Sequence, residues 1–521
     1  MQKKKILLIG PYKNSGLRVG QYLSPPLGIY RIKSYIEKKA SHQVDIIDLD
    51  LEGKDYFINK LKNNKYDIIG FSILQPTLKN DIALVYEAKK LSPDSLIIAG
   101  GQGAVFNHKL LLNQTPTNVI VKGFGEFALL EIINNPGQLQ KIKGLYIKEN
   151  SKIIDTGIVE PYTYEQLREI SLSFDFNKVP YEEYWNFMEK VYTKKHLEIM
   201  KNEDFLYTIR LMTSTHCPRK CSFCSSTNFL DNACKNQQRI ALSGEDVYSM
   251  VKRALISHPK CKAIYFNDDD FLFDKKRIKE LCFLLKNIKD ISYFCLSRVD
   301  NIDKDLLRLM KKTGFKFIIY GVESFSDKIL KDMCKNLTIN NRLSKQVIKD
   351  TIDIGLTPLM NLILFYPTAS IGDIITTIEN AIELVEYDAR LTVYPYIEAY
   401  PGSNILKQEN LDFTYEKFNV RKKRFILPNL ILPRSKKIRL VAEESIKIRE
   451  GLLNNILKER KWTGVVPHPL QGLTLFLAVY KILNLRTARI ESLINRILAK
   501  EEQEQRIAVS QDIIRYEVCI G

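Results

Sequence analysis

The first 216 residues contain no cysteine, and the whole 521-residue chain has only two tryptophans and six histidines. All nine cysteines lie between Cys217 and Cys519. An odd count in so long a chain, with a thiol-free first stretch, excludes a disulfide framework and points to a reducing, cytoplasmic location. Long apolar runs are also missing: Leu470 to Tyr480 is about half of the roughly 20 residues that cross a bilayer, so no transmembrane segment is expected. Met1 to Lys5 is basic but leads directly into a strand pattern, so no signal peptide is expected. Acidic charge is in short supply, 60 Asp and Glu against 78 Lys and Arg, for a net charge of +18. That excess fits either an anionic partner or lysine spread diffusely over the surface.

At 45% hydrophobic the chain can bury two or three cores. Through about residue 135, "KKILLIG", "QVDIIDL", "YDIIGFSIL", "DSLIIAGG" and "TNVIVKG" read as strands separated by helical patterns, the alternation of a doubly wound, Rossmann-like parallel sheet. "GLYIKEN" and "KIIDTG" close this unit by residue 156, and 157–204 read as a charged, aromatic-bearing connector. A second alternation over 205–402 has strands "FLYTIRLMTS", "KAIYFND", "ISYFCLS", "KFIIYGVES", "LMNLILFYP" and "LTVYPYI". Six such units are too few for an eight-fold barrel and predict a partial (β/α)6 TIM-like barrel, with its chemistry at the carboxyl ends of the strands. Residues 403–521 are basic, then mainly helical.

Cys217, Cys221 and Cys224 fall within eight positions in "THCPRKCSFCSS", after the first barrel strand. A structural zinc site wants four ligands, commonly as two close pairs, and no second pair follows. Three buried structural thiols would not need a proline- and charge-rich loop at the active face. An iron–sulfur cluster normally takes four thiolates; three leave one iron open to a small molecule.

"CPRKCSFC" after the first strand of a partial barrel resembles the radical S-adenosylmethionine (SAM) superfamily. The resemblance implies a [4Fe–4S] cluster on Cys217, Cys221 and Cys224, with SAM on the open iron, cleaved by electron transfer to a 5′-deoxyadenosyl radical. "YGVES" is similar to the family's G-x-E-S stretch and implies SAM contacts at Gly321, Glu323 and Ser324. Arg298 in "SRVD" could grip the SAM carboxylate or pair with Asp300. Asp268 in "FNDDDF" could meet the SAM ammonium or the substrate, or cap the next helix. Phe223 could cover the adenine or pack in the core.

The sheet ahead of the barrel resembles the cobalamin-binding domain of B12-dependent radical SAM enzymes, on "SPPLGIYRIKSYIE", "IIGFSIL", "IIAGGQG" and "VIVKGFGEFALLE". Cobalamin contacts are implied at Pro26, Leu27, Gly28, Ser72, Gly100, Gly101, Gly123 and Glu126. No D-x-H-x-x-G follows the first strand, so no histidine is expected on the cobalt. The pairing implies a C-methyltransferase acting on an unactivated carbon of a small molecule, anionic or lipid-like, with an electron donor such as flavodoxin or ferredoxin. Relatives of the same build close rings or oxidise instead. A tRNA methylthiotransferase would carry a second cluster on N-terminal cysteines, which are missing, and nucleic acid is not expected. A non-catalytic cobalamin or redox sensor would have no use for Arg298, Glu323 and Ser324.

In the C-terminal region "QGLTLFLAVYKIL" reads as a core helix ahead of a partner-seating one. "RKKRFILPNLILPRSKKIR" carries eight basic residues and no acid, suited to solvated ends around a buried strand or to an anionic lipid or phosphate.

Overall fold

The computed structural model describes residues 3–12, 24–191, 197, 200–201, 204–231, 233–335, 339–398, 401–409, 430–459 and 468–499. Residues 421–429 of the basic stretch and Cys519 lie outside these.

The first sheet has seven strands: β1 (Lys5–Ile9), β2 (Gln43–Ile47), β3 (Ile68–Ser72), β4 (Leu96–Gly100), β5 (Val119–Val121), β6 (Leu145–Glu149) and β7 (Lys152–Asp155), in the order β2-β1-β3-β4-β5-β6-β7. β1 to β5 pair in parallel, while the β6–β7 hairpin adds on antiparallel. Apolar side chains on both faces are what a sheet covered by helices on both sides requires. Leu7, Ile9, Ile69 and Ile97 enter one core cluster; Ile6, Leu8, Ile68 and Ile98 enter the other. The order of strand addition reverses between β1 and β3, and the crevice beyond the carboxyl ends at such a switch point is where doubly wound sheets bind ligands.

The second sheet has six parallel strands in sequence order: β8 (Thr208–Leu211), β9 (Ala263–Phe266), β10 (Ser292–Ser297), β11 (Phe315–Glu323), β12 (Thr357–Ile363) and β13 (Arg390–Tyr394). β8 and β13 do not pair, so the barrel is partial and open on one side. Six helices here start under a side-chain cap, with Ser243, Asp274, Asp303, Ser326, Asn340 and Ser370 each accepting a backbone N–H from the first turn. The helix after β13 comes from far along the chain. His468–Ile482 packs so closely on that strand that a Cβ at Gly472 would stand 2.3 Å from Leu391 Cδ1. Its described side chains beyond Pro469 are almost all buried, as a core helix requires.

The fold is therefore α/β throughout: a doubly wound sheet, a partial barrel, and a helical C-terminal region against the barrel. Among the described residues no helix is long and apolar enough to cross a membrane.

Candidate active site

The loop leaving β8 carries the three cysteines, all half-buried and unpaired. Burial pushes the Cys217 thiol up to about 12 and raises Cys221 and Cys224 as well. Three thiols whose ionisation burial opposes become thiolates only against compensating positive charge, which a bound metal cluster supplies. Backbone and cationic groups already lean that way. The Arg219 N–H points at Cys217 Sγ over 3.5 Å, and Arg298 Nη1 stands 3.9 Å from Cys221 Sγ.

Arg298 directly follows β10 and is buried, gripping Asp300 through two hydrogen bonds of 2.9 and 3.1 Å. Its Asp300 pairing and its approach to Cys221 coexist; the guanidinium does both. Across the next strand, β11 breaks register between Gly321 and Glu323, and Glu323 takes a left-handed backbone with φ of 67°. Such a conformation is strained for a residue with a side chain and often marks a functional position. The Glu323 carboxylate lies above Gly321, where a Cβ would be 2.7 Å from Oε1. Lys335, which the sequence reading did not single out, completes this corner. Its buried ammonium lies 3.3 Å from Glu323 Oε1 and donates to the Gly321 carbonyl. Twelve residues and a short helix separate Lys335 from Glu323, so no spacing motif announces the pair.

Phe223 sits between the second and third cysteines, half-buried against the core. Asp268 and Ser324 face elsewhere. The buried Asp268 carboxylate accepts the Thr213 N–H at 2.9 Å, the Thr213 hydroxyl at 2.8 Å and the Ser214 hydroxyl, so it ties β9 to the root of the cysteine loop. Ser324 Oγ is buried against Thr377 Oγ1 at 2.9 Å on the helix Ile371–Glu386. Asp270 likewise holds Asn301, through bonds of 2.8 and 2.7 Å. Guanidinium nitrogens remain in want of partners beside the loop: Arg219 Nε and Arg239 Nε and Nη1 are buried without one.

The residues singled out in the first sheet gather at its carboxyl edge. Ser72 and Gly100 sit opposite each other where β3 and β4 end, and Gly100 is open, a Cβ there meeting only Val121 at 4.0 Å. Pro26, Leu27 and Gly28 begin the helix Leu27–Lys39 beside β1; Gly28 has nothing within 4 Å of a Cβ. Gly101 and Gly123 serve the protein's own packing. Added Cβ atoms would stand 2.9 Å from the Ile73 carbonyl and 2.5 Å from Tyr162 Oη, and both residues have positive φ. Glu126 is buried, bonded to Arg31 through Oε1, with Oε2 left without a partner. Two helices of eight residues or more begin at this edge without a side-chain cap, at Leu27 and Gly125. Open glycine, uncapped helix N–H groups and an orphaned carboxylate oxygen fit a large ligand rich in amide groups.

This edge meets the cysteine loop. The Gln102 amide donates to Ser225 Oγ at 2.8 Å, one residue past Cys224, and the Val159 N–H donates to the Ala233 carbonyl at 2.8 Å.

Family models match both halves. Residues 16–133 match the B12 binding domain and residues 211–381 the radical SAM superfamily. The chain is a radical SAM protein with a B12 binding domain. Three cofactors come with that family: a [4Fe–4S] cluster, SAM and cobalamin. This radical SAM protein is 26% identical over 417 residues to an uncharacterized methyltransferase of Pyrococcus horikoshii, spanning 78% of its own length and 83% of the relative's. It is 23% identical over 365 residues to the anaerobic magnesium-protoporphyrin IX monomethyl ester cyclase of Rubrivivax gelatinosus, over 66% of its length and 60% of the cyclase. Its fold matches that of the cobalamin-dependent SAM radical enzyme OxsB, solved with aqua-cobalamin and SAM, with a TM-score of 0.66 at 16% identity over 96% of this chain and 76% of the other.

Proposed function

We propose that this protein is a cobalamin-dependent radical SAM methyltransferase that methylates an unactivated carbon of a small molecule. The observation that carries the reading is the meeting of the two edges: the residue after Cys224 is hydrogen-bonded to the end of β4. A methyl carrier and a radical generator must both reach one substrate carbon, and this arrangement faces their sites toward each other. The likeness to the methyltransferase, which covers most of that protein, supports methyl transfer.

When bound, the cluster supplies the electron that cleaves SAM, and cobalamin carries the methyl group. The chain's part is to hold and exclude. Cys217, Cys221 and Cys224 hold the cluster. Glu323, kept in its left-handed turn by Lys335, presents a carboxylate to the ammonium or ribose of SAM, and Arg298 sets positive charge beside Cys221. Gly321 leaves space for that carboxylate, and Phe223 lies where it can cover the adenine. Asp268 and Ser324, committed within the protein, support the site from behind. The carboxyl edge around Pro26, Leu27, Gly28, Ser72, Gly100 and Glu126 holds cobalamin, with Gly101 and Gly123 fixing the loops that shape it.

An anionic small molecule suits the buried guanidinium nitrogens without a partner beside the cysteine loop, Arg219 Nε and Arg239 Nε and Nη1. A flavodoxin or ferredoxin in the cytoplasm is the fitting electron donor. The test is product analysis under reducing, oxygen-free conditions with SAM and hydroxocobalamin. S-adenosylhomocysteine that forms only when cobalamin is present, together with 5′-deoxyadenosine, is the expected result. 5′-Deoxyadenosine alone would replace methyl transfer with cyclisation or oxidation.

A further inference from the structure

Gln102 begins the short helix Gln102–Phe106 at the end of β4, and its side chain crosses to the cysteine loop. The partner, Ser225, is buried and directly follows Cys224. What makes this bond more than a surface contact is how firmly Gln102 is held. Gly101 takes φ of 89° and packs on Ile73, and a Cβ at Gly103 would stand 2.5 Å from the Leu74 carbonyl carbon. The Gly103 N–H donates to the Ile73 carbonyl and the Ile73 N–H to the Gly100 carbonyl, each at 2.9 Å. The loops after β3 and β4 therefore form one rigid piece, and Gln102 is its link to the cluster ligands. Other polar ties across the same boundary, such as the Tyr162 N–H to Gln237 at 2.7 Å, attach farther along the chain from Cys224.

We propose that Gln102 is a positioning residue that couples the cobalamin edge to the iron–sulfur loop, so that filling the first site alters the electronic environment of the cluster in the second. The inference rests on the two-cofactor reading above. Strands β3 and β4 end where cobalamin is assigned, at Ser72 and Gly100, so a ligand pressing on the loops after them moves or stiffens Gln102. Ser225 then transmits the change to the adjacent Cys224, whose hydrogen bonding and orientation tune the cluster.

The test uses full-length protein with reconstituted cluster, before and after loading with hydroxocobalamin, read by the electron paramagnetic resonance of the reduced cluster and by its midpoint potential. The wild type should show a cobalamin-dependent change in both signals. Gln102→Ala and, from the other side, Ser225→Ala should keep iron and cobalt at wild-type content yet lose the change. Gln102→Glu, which can accept a hydrogen bond from the Ser225 hydroxyl, should restore it. Retention of the change in both alanine variants overturns the proposal, as does a wild type that holds both cofactors and shows no change. A wild type that takes up no cobalt overturns the two-cofactor reading itself, and this proposal with it. Should Gln102→Ala fail to fold, Ser225→Ala and Gln102→Glu decide the matter.

Discussion

The carboxyl edges of the two sheets are built in opposite ways. At the barrel's carboxyl edge the proposed contacts are side chains, and the helices there are closed off by their own residues; Ser370 and Asp373 even cap each other reciprocally. At the first sheet's edge, the helices beginning at Leu27 and Gly125 have no side-chain cap, and the turns are glycine. A cluster and a small sulfonium need point contacts of defined chemistry, which side chains supply. A broad macrocycle with amide arms needs open surface and backbone donors, which a lack of side chains supplies.

The sharpest way to break the comparison is to remove the barrel's point contacts. Replacing Cys217, Cys221 and Cys224 with alanine should abolish iron binding and SAM cleavage while cobalt uptake persists, measured as metal content per chain. Loss of both metals would show that the first sheet depends on the cluster.

Lys335→Met should come next. It leaves the Glu323 carboxylate, with its side chain only 13% exposed, without its ammonium. Removing one member of a buried pair costs about 3 kcal/mol. Chemical denaturation should show that loss, and calorimetry should show weaker SAM binding; an unchanged SAM affinity would detach Glu323 from the SAM site.

In the first sheet the contrast lies between two glycines. Gly103→Ala drives a Cβ to 2.5 Å from the Leu74 carbonyl carbon and should lower stability by about 1–3 kcal/mol, since overpacking is poorly relieved next to backbone. Gly100→Ala meets only Val121 at 4.0 Å and should leave stability almost unchanged while weakening cobalamin retention. Equal effects of the two on thermal melting would contradict the assignment of that edge.

A further effect concerns pH. Burial pushes Asp48 up to about 7 and Asp81 to about 8. The folded protein thus keeps protons that the unfolded chain releases near pH 4, so this contribution is complete below that value and is lost as pH rises through 7 to 8. The slope is at most about 1.4 kcal/mol per pH unit for each carboxyl. Asp81→Asn should flatten part of it in denaturation curves recorded from pH 5 to 9.

The same contrast explains what could be read in advance. The cysteine triad, Glu323 and the strand alternation stand in the sequence because type and spacing there encode both fold and chemistry. Lys335 and Gln102 do not, because each reaches its partner through a turn that only the folded chain defines. Asp268 looked like a ligand group at a strand end, but hydroxyls at Thr213 and Ser214, more than fifty positions away, had already claimed it. Glycines in "IIAGGQG" suggested approach to a ligand. The structure divides them: Gly100 faces open space, whereas Gly101 and Gly103 face the protein's own backbone. The helix on β13 was legible as apolar but not as a barrel element, since a long stretch of chain separates it from its strand.

The most direct measurement is iron, sulfide and cobalt per chain in protein purified without oxygen from cobalamin-fed cells. The account predicts about four irons, four sulfides and one cobalt. Four irons without cobalt, in protein whose first sheet is folded, would contradict it.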